Sequence, residues 1–224
     1  MKKVALVLII LFVSVFANAQ FIDNYGFRIG AGLSNQYFEF KDIRFENLSG
    51  WKENKLGLAI YINAEKKLNK HFSIRPELGY NQKGYTDGVS FTTQTPEDIQ
   101  IVNEKLKLHN LSANFSLKIT PLQTKVKPYL IVGVKGDYLI SLENKMVVVN
   151  GETIDFVPFS DGYNKFVLSG LLGLGVEFND TFYLDIEYNP AITNSLDNSF
   201  LSINDGYIGV TVGVNLSTFL GDKK

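Results

Sequence analysis

The sequence predicts an all-β protein, an eight-stranded antiparallel up-and-down transmembrane β-barrel with short periplasmic turns and long extracellular loops. Three observations predict it. Eight runs of roughly ten residues alternate apolar and polar side chains with a period of two, the repeat of a strand whose faces meet different media. The connections between them alternate strictly between long and short, which collects the short turns at one end of a barrel and the long loops at the other. Glycines gather on the polar face and aromatic residues at both ends of the apolar face, which sets the polar face inside.

Met1, Lys2 and Lys3 make a positive start, Val4 to Phe16 are almost wholly apolar, and Ala17-Asn18-Ala19 gives a small-x-small pattern before Gln20. This reads as a secretory signal peptide over residues 1–19, because an apolar run of about 13 residues is shorter than the ~20 needed to cross a bilayer. Its removal takes Lys2 and Lys3 away and leaves 20 of the 22 basic side chains against 23 acidic ones, a net charge of −3. Residues 20–224 then form one barrel domain.

The first run places Tyr25, Phe27, Ile29, Ala31 and Leu33 opposite Gly26, Arg28, Gly30 and Gly32. The second sets Leu56, Leu58, Ile60 and Ile62 against Gly57, Ala59, Tyr61, Asn63 and Glu65, and the third Phe72, Ile74, Leu78 and Tyr80 against Arg75, Glu77, Gly79, Asn81 and Lys83. Pro76 removes a ladder donor from the third run, so a bulge or local defect is expected there. In the fourth, Leu111, Ala113, Phe115 and Leu117 alternate with Ser112, Asn114, Ser116 and Lys118, while Leu106 and Leu108 run in the other phase and predict a bulge near His109. The fifth opposes Leu130, Val132, Val134 and Tyr138 to Tyr129, Gly133, Lys135 and Asp137, and the sixth Phe166, Leu172, Leu174, Val176 and Phe178 to Ser169, Gly173, Gly175 and Glu177. The seventh and eighth set Phe182, Leu184, Ile186 and Tyr188 against Tyr183, Asp185 and Glu187, and Ile208, Val210, Val212 and Val214 against Tyr207, Gly209, Thr211 and Gly213.

Asn69-Lys70, Pro121 to Lys125 and Asn179-Asp180 are the short turns; Lys41 to Asn54, Gly84 to Glu104, Glu143 to Lys165 and Pro190 to Gly206 are the long loops. Within the third long loop, Met146 to Phe156 reads as a hairpin turning on Asn150-Gly151, whereas Gly84 to Glu104 reads as a polar, mobile loop.

An apolar face turned outward would expose far more than the few hundred Å² a soluble monomer shows, which argues against a soluble lipocalin-type barrel. Phe72, Phe178 and Phe182 at the short-turn end, and Tyr80, Tyr138, Phe166 and Tyr188 at the long-loop end, bracket an aliphatic band as the girdles of a membrane barrel do. The lumen face then holds Arg28, Arg75, Lys118 and Lys135 with Glu77, Asp137, Glu177, Asp185 and Glu187. In so narrow a space opposite charges must pair, so a structural plug of ion pairs is expected. The competing function for the same residues is a narrow or gated solute path, although open aqueous channels need about 16 strands.

No enzyme is expected: Asp185 and Glu187 are two residues apart on one strand with no nucleophile beside them. His71 and His109 lack companion ligands, and the absence of cysteine from the 224 residues excludes thiolate sites and disulfides, so no metal or cofactor is called for. The near balance of 22 basic and 23 acidic residues gives no footprint for nucleic acid.

Ile74-Arg75-Pro76-Glu77-Leu78-Gly79-Tyr80-Asn81-Gln82-Lys83-Gly84 resembles a pattern of the PorT-type outer-membrane β-barrel family of Bacteroidota, a Pro-Glu-Leu followed by Tyr and Gln-Lys-Gly. Lys127-Pro128-Tyr129-Leu130, Gly170 to Phe178 and Leu184 to Asn189 continue the likeness, and the leader ending Asn18-Ala19-Gln20 is similar to leaders of that phylum. Two features depart from it: Asn114 stands where the family often has proline, and Phe219 is followed by five more residues where barrel precursors commonly end on an aromatic. The resemblance implies an eight-stranded barrel of the bacterial outer membrane, small like the OmpA transmembrane domain, with outer-membrane lipids around it. A monomer with a structural or surface-interaction role is expected. The alternatives are a narrow solute channel, or an accessory component of protein secretion with a secretion-system or surface-protein partner.

Overall fold

A computed structural model of the chain describes residues 22–44, 46, 49–92, 99–147, 153–155 and 162–220. The expected leader and its cleavage point lie outside the described residues, as does the Asn150-Gly151 turn.

The described strands are β1 (Asn24–Phe40), β2 (Gly50–Trp51), β3 (Glu53–Lys67), β4 (Phe72–Thr92), β5 (Ile99–Ile119), β6 (Val126–Val147), β7 (Thr153–Asp155), β8 (Phe166–Phe178), β9 (Phe182–Tyr188), β10 (Leu196–Asp197) and β11 (Leu201–Asn215). Eight of them form an antiparallel ring in the order β1-β3-β4-β5-β6-β8-β9-β11, closed by pairing of β11 with β1 from Gly26↔Asn215 to Phe40↔Leu201. The three short strands extend it, β2 on β1, β7 on β6 and β10 on β11. Closure leaves no strand of the ring with a free edge along its whole length, so most of its backbone donors and acceptors pair within the protein.

Alternation decides which medium each side chain meets. Arg28, Lys135 and Asp185 are fully buried inside, whereas Ile62, Leu174 and Val212 on the outer face are 54%, 59% and 57% exposed. The band thus exposed includes Leu33, Leu58, Leu111, Phe115, Leu130, Val132, Leu172, Ile186, Ile208 and Val210.

Both chain ends of the ring and the three short turns share one end. In the first turn the Asn69 side-chain oxygen accepts from His71 N (2.8 Å) and Phe72 N (3.0 Å), which fixes the reversal. Asn179 and Asp180, at φ 52° and 59°, supply the two left-handed residues of a type I′ turn, the form that matches strand twist. A helical turn α1 (Ser217–Leu220) follows β11 at this end, with Leu216 N bonded to Tyr25 O at 2.8 Å.

The other end departs from expectation. Gly84 to Glu104 is mostly strand rather than loop, since β4 and β5 pair without interruption from Gly84↔Lys107 to Thr92↔Ile99. Backbone pairing between two long strands needs no apolar alternation, which is why a polar stretch there read as loop. The hairpin of β6 and β7 is present, with Val147 opposite Thr153. Part of the expected loop Pro190 to Gly206 is strand as well, because β11 starts at Leu201.

Pro76 makes a gap in the ladder but no bulge. Pairing of β3 with β4 passes from Asn63↔Glu77 to Lys66↔Ile74 in one register, skipping the positions around Pro76. The register shifts lie elsewhere. One separates Asn54↔Tyr85 from Ala59↔Asn81, beside Gly84 at φ +136°, where a Cβ would stand 2.1 Å from the Leu106 carbonyl oxygen. The second falls between His109 and Asn110, as expected, but its extra residue is Ile140 of β6. β5 itself alternates evenly, so Leu106 and Leu108 point into the barrel.

Candidate functional site: a charged lumen beneath an apolar tier

Four tyrosines line the charged level of the lumen, each lying over a glycine that leaves it room. A Cβ on Gly79 would meet the Tyr61 ring at 2.2 Å, one on Gly175 the Tyr129 ring at 2.3 Å, and one on Gly213 the Tyr183 ring at 2.2 Å. These three are direct cross-strand partners, and Tyr207 covers Gly32 in the same way. The rings wall a space into which the charged side chains project.

At its centre two arginines face three carboxylates. Arg28 approaches Glu77 at 2.6 Å, Glu187 at 2.5 Å and Asp185 at 3.6 Å, donates to Thr211 Oγ1 at 3.0 Å, and stacks over Tyr61 at 4.3 Å. Arg75 reaches Asp185 at 3.0 Å, Glu77 at 3.3 Å and Glu187 at 3.6 Å. Asn114 donates to Glu77 at 2.9 Å, and the Tyr129 hydroxyl donates to Asp185. Strands β1, β4, β5, β6, β9 and β11 therefore meet in one network across the barrel.

Toward the short turns, Lys118 bridges Glu177 (2.5 Å) and Glu65 (3.1 Å) under the Tyr129 ring. Toward the long loops, Lys83 pairs with Asp137 at 2.7 Å and lies 3.9 Å from Asp205, whose other oxygen accepts from Gln36 at 2.7 Å. Lys135 departs from the expected ion pairing: no carboxylate lies within 4.0 Å of its ammonium among the described residues. It donates instead to Tyr61 (2.9 Å) and Asn189 (3.2 Å) and faces the Tyr207 ring at 4.7 Å. Ring faces and an amide oxygen replace the missing anion.

Above this level the lumen turns apolar. Tyr85, Leu106, Leu108, Leu139, Leu201 and Ile203 pack together from the strands, and Tyr163 and Leu196 close over them from the connections. The two connections bind each other through Asn164 N to Ser195 O at 2.7 Å, and Ser195 N ties the second of them to Ile203 O of β11 at 2.8 Å. The Tyr163 hydroxyl donates to Gln36 at 2.9 Å, joining this tier to the charges below.

Parity in the sequence therefore places eight of the nine expected lumen charges in ion pairs and Lys135 among rings. Three partners stood outside the expected set. Glu65 and Lys83 sit on the polar face of their runs, and parity alone would have included them; Asp205 fell in a stretch read as loop. With them, the described lumen charges comprise seven carboxylates (Glu65, Glu77, Asp137, Glu177, Asp185, Glu187 and Asp205) and five cations (Arg28, Arg75, Lys83, Lys118 and Lys135). The apolar tier was missed because Leu106 and Leu108 read as a change of phase.

On the outer face, Phe72, Phe178 and Phe182 lie at the short-turn end and Tyr138, Phe166 and Tyr188 at the other, all exposed. Tyr80 is half-buried, and its hydroxyl meets the His109 ring and the Gln82 amide. Tyr80, Leu111, Tyr138 and Phe166 stand opposite one another in register across β4, β5, β6 and β8.

The sequence profile of the outer membrane protein beta-barrel domain matches residues 18–197. A search of the curated proteins found no match. Among solved structures, the chain is similar to Ail, the attachment invasion locus protein of Yersinia pestis, at 13% identity over 87% of this chain and 99% of that one, with a TM-score of 0.40. It is similar to Neisserial surface protein A at 17% identity over 84% and 96% of the two chains (TM-score 0.43). The N-terminal β-barrel domain of Pseudomonas aeruginosa OprF gives 10% identity over 84% and 96% (TM-score 0.30).

Proposed function

We propose, from the premise that this chain belongs to the outer membrane protein beta-barrel domain family, that it serves the outer membrane as a closed barrel with a structural or surface-interaction role. The observation that carries this reading is the double filling of the lumen. Paired charges cross it at the level of the aliphatic band, and an apolar tier lies over them. An ion would have to break several charge-assisted bonds and then enter a hydrocarbon plug. A role without catalysis is supported by the state of the acids, since Glu187 and Asp185 are each held by an arginine at 2.5–3.0 Å. In this reading residues 1–19 are a cleaved leader and the mature barrel is a monomer, with the seven girdle aromatics at the headgroup levels of the surrounding lipid.

Planar-bilayer conductance tests the filled lumen. Purified wild-type protein is expected to give no stable openings; openings in wild type that change with Glu187→Ala would overturn the reading. The excess of two carboxylates in the lumen favours one second reading, a narrow cation-selective path. It requires openings with cation preference in the unmodified protein.

The PorT-type likeness favours a secretion accessory, but the residues that carry it have work inside the barrel. Glu77 pairs with Arg28, Lys83 with Asp137, and Gly84 permits the turn of backbone beside Leu106. The motif therefore supports a lumen wall more than a partner surface. Pull-down from solubilised outer membranes separates the two: a reproducible secretion partner supports the accessory role, and recovery of the barrel alone counts against it.

A further inference from the structure

The outer surface carries one concavity that the barrel's role does not explain. It is a groove of about 450 Å³ at the short-turn end, lined by Pro121, Pro128, Leu130, Leu174, Val176 and Ile186 with almost no polar surface. Its origin is a mismatch of strand lengths. β5 ends at Ile119, opposite Leu130, whereas β6 begins at Val126, so residues 126–129 pair with β8 alone. Pro128 lies in that overhang, where no β5 residue stands opposite and its missing N–H leaves no β5 carbonyl without a donor. The chain between the strands turns back past the overhang and brings Pro121 to the rim. Pro128 and Val176, cross-strand partners and both short, form a floor between the longer Leu130, Leu174 and Ile186.

We propose that this groove is a specific site for one acyl chain of a phospholipid of the periplasmic leaflet, with its phosphate held at the adjoining turn. The inference rests on the outer-membrane reading above and names a ligand for a place that reading leaves unassigned. Three features select this occupant. The groove opens on the aliphatic band, so hydrocarbon is the medium it meets. Its size falls within the roughly 300–1,000 Å³ of small-ligand sites. Its rim residue Pro121 belongs to the same connection as Lys125, an exposed cation four residues further along the chain that is available to a phosphate. A flat strand face would be coated by exchanging lipid; an apolar concavity next to a connection that carries an exposed cation retains one molecule longer.

The test is native mass spectrometry of the full-length mature barrel, released from detergent after incubation with a limiting amount of palmitoyl-oleoyl phosphatidylglycerol. Wild type is expected to retain one lipid per barrel. Val176→Trp fills the floor and is expected to lower retention at least fivefold, and Lys125→Glu at least threefold. Val212→Trp, an equal change on the outer face of β11, is expected to leave retention unchanged. Retention by Val176→Trp equal to that of Val212→Trp overturns the site, as does wild type that carries no lipid. A wild-type spectrum dominated by a dimer or a co-purified polypeptide that Val176→Trp abolishes assigns the groove to protein and also overturns it. Each variant is checked for heat-modifiable gel mobility and outer-membrane fractionation. Loss of those in wild type would defeat the membrane-barrel reading itself, whereas their presence without lipid retention defeats the groove alone.

Discussion

Replacing Arg28 by methionine removes the cation that Glu77, Glu187 and Asp185 share, and leaves Arg75 alone against three carboxylates. Arg28 donates to Glu187 at 2.5 Å and to Glu77 at 2.6 Å with no exposure to solvent. Bonds to charged groups contribute about 1.5–3 kcal/mol each, so the two carboxylate bonds set a gross scale of roughly 3–6 kcal/mol. The loss has a ceiling, because a stranded carboxylate can escape by taking up a proton. Protonating a carboxylic acid of ordinary acidity costs about 3.7 kcal/mol at pH 7 and about 1 kcal/mol at pH 5. The variant is therefore expected to lose about 3–4 kcal/mol relative to wild type at pH 7, in line with other broken buried pairs. At pH 5 the difference should shrink to about 1–2 kcal/mol, since the folded variant then gains its proton cheaply. Reversible urea unfolding in lipid vesicles, followed by circular dichroism and gel mobility, measures both. Adding Glu187→Gln to the variant should recover about half the loss at pH 7. A loss below about 1 kcal/mol at pH 7, or one of equal size at pH 5, would refute the argument that these charges depend on each other in a dry lumen.

The remaining predictions use the same unfolding assay. Gly84→Ala should cost at least about 3 kcal/mol, because it adds a side chain at φ +136° and drives it toward the Leu106 carbonyl at 2.1 Å. Leu108→Ala inside the apolar tier should cost about 2–4 kcal/mol, whereas Leu111→Ala on the outer face should cost no more than about half of that, because lipid fills the space and no cavity forms. At the short-turn end, the Lys127 ammonium bonded to Asp180 holds that carboxyl below the usual carboxylate range. The contact therefore stabilises the fold above about pH 4 and is lost as pH falls through the depressed value. Asp180→Asn should cost under about 1 kcal/mol at pH 7, as expected of a solvent-screened pair, and nothing once the pH lies below the depressed value.

The ring itself was legible because a period of two carries its own geometry: once Arg28, Arg75, Glu77, Asp185 and Glu187 fall on one parity, closure of the barrel brings them together. Register was less legible. Pro76 looked like a bulge, but a proline can leave a ladder unpaired without adding a residue, whereas the true irregularity beside Gly84 depends on a backbone conformation that no alternation reveals. Leu106 and Leu108 were read as a phase change, since leucine was assigned to the lipid face throughout. Nothing local distinguishes a leucine in lipid from a leucine in an inner plug; that depends on Tyr163 and Leu196 arriving from other connections. Lys135 shows the same limit, because its surroundings of Tyr61, Tyr207 and Asn189 come from β3, β11 and the residue after β9.

The barrel is inverted relative to a soluble protein, with charge inside and hydrocarbon outside. The chain contains no cysteine, so single spin labels can be attached without background. The most direct measurement is the collision rate of labels at Leu130, Val132, Val134 and Tyr138 of β6 with oxygen and with a water-soluble nickel chelate, for the barrel in vesicles. Oxygen collisions should dominate at Val132 and Val134 and give way to the chelate at Tyr138, at the long-loop edge of the band. Chelate collisions at Val132 as frequent as at a label on the exposed Asn198 would contradict this arrangement.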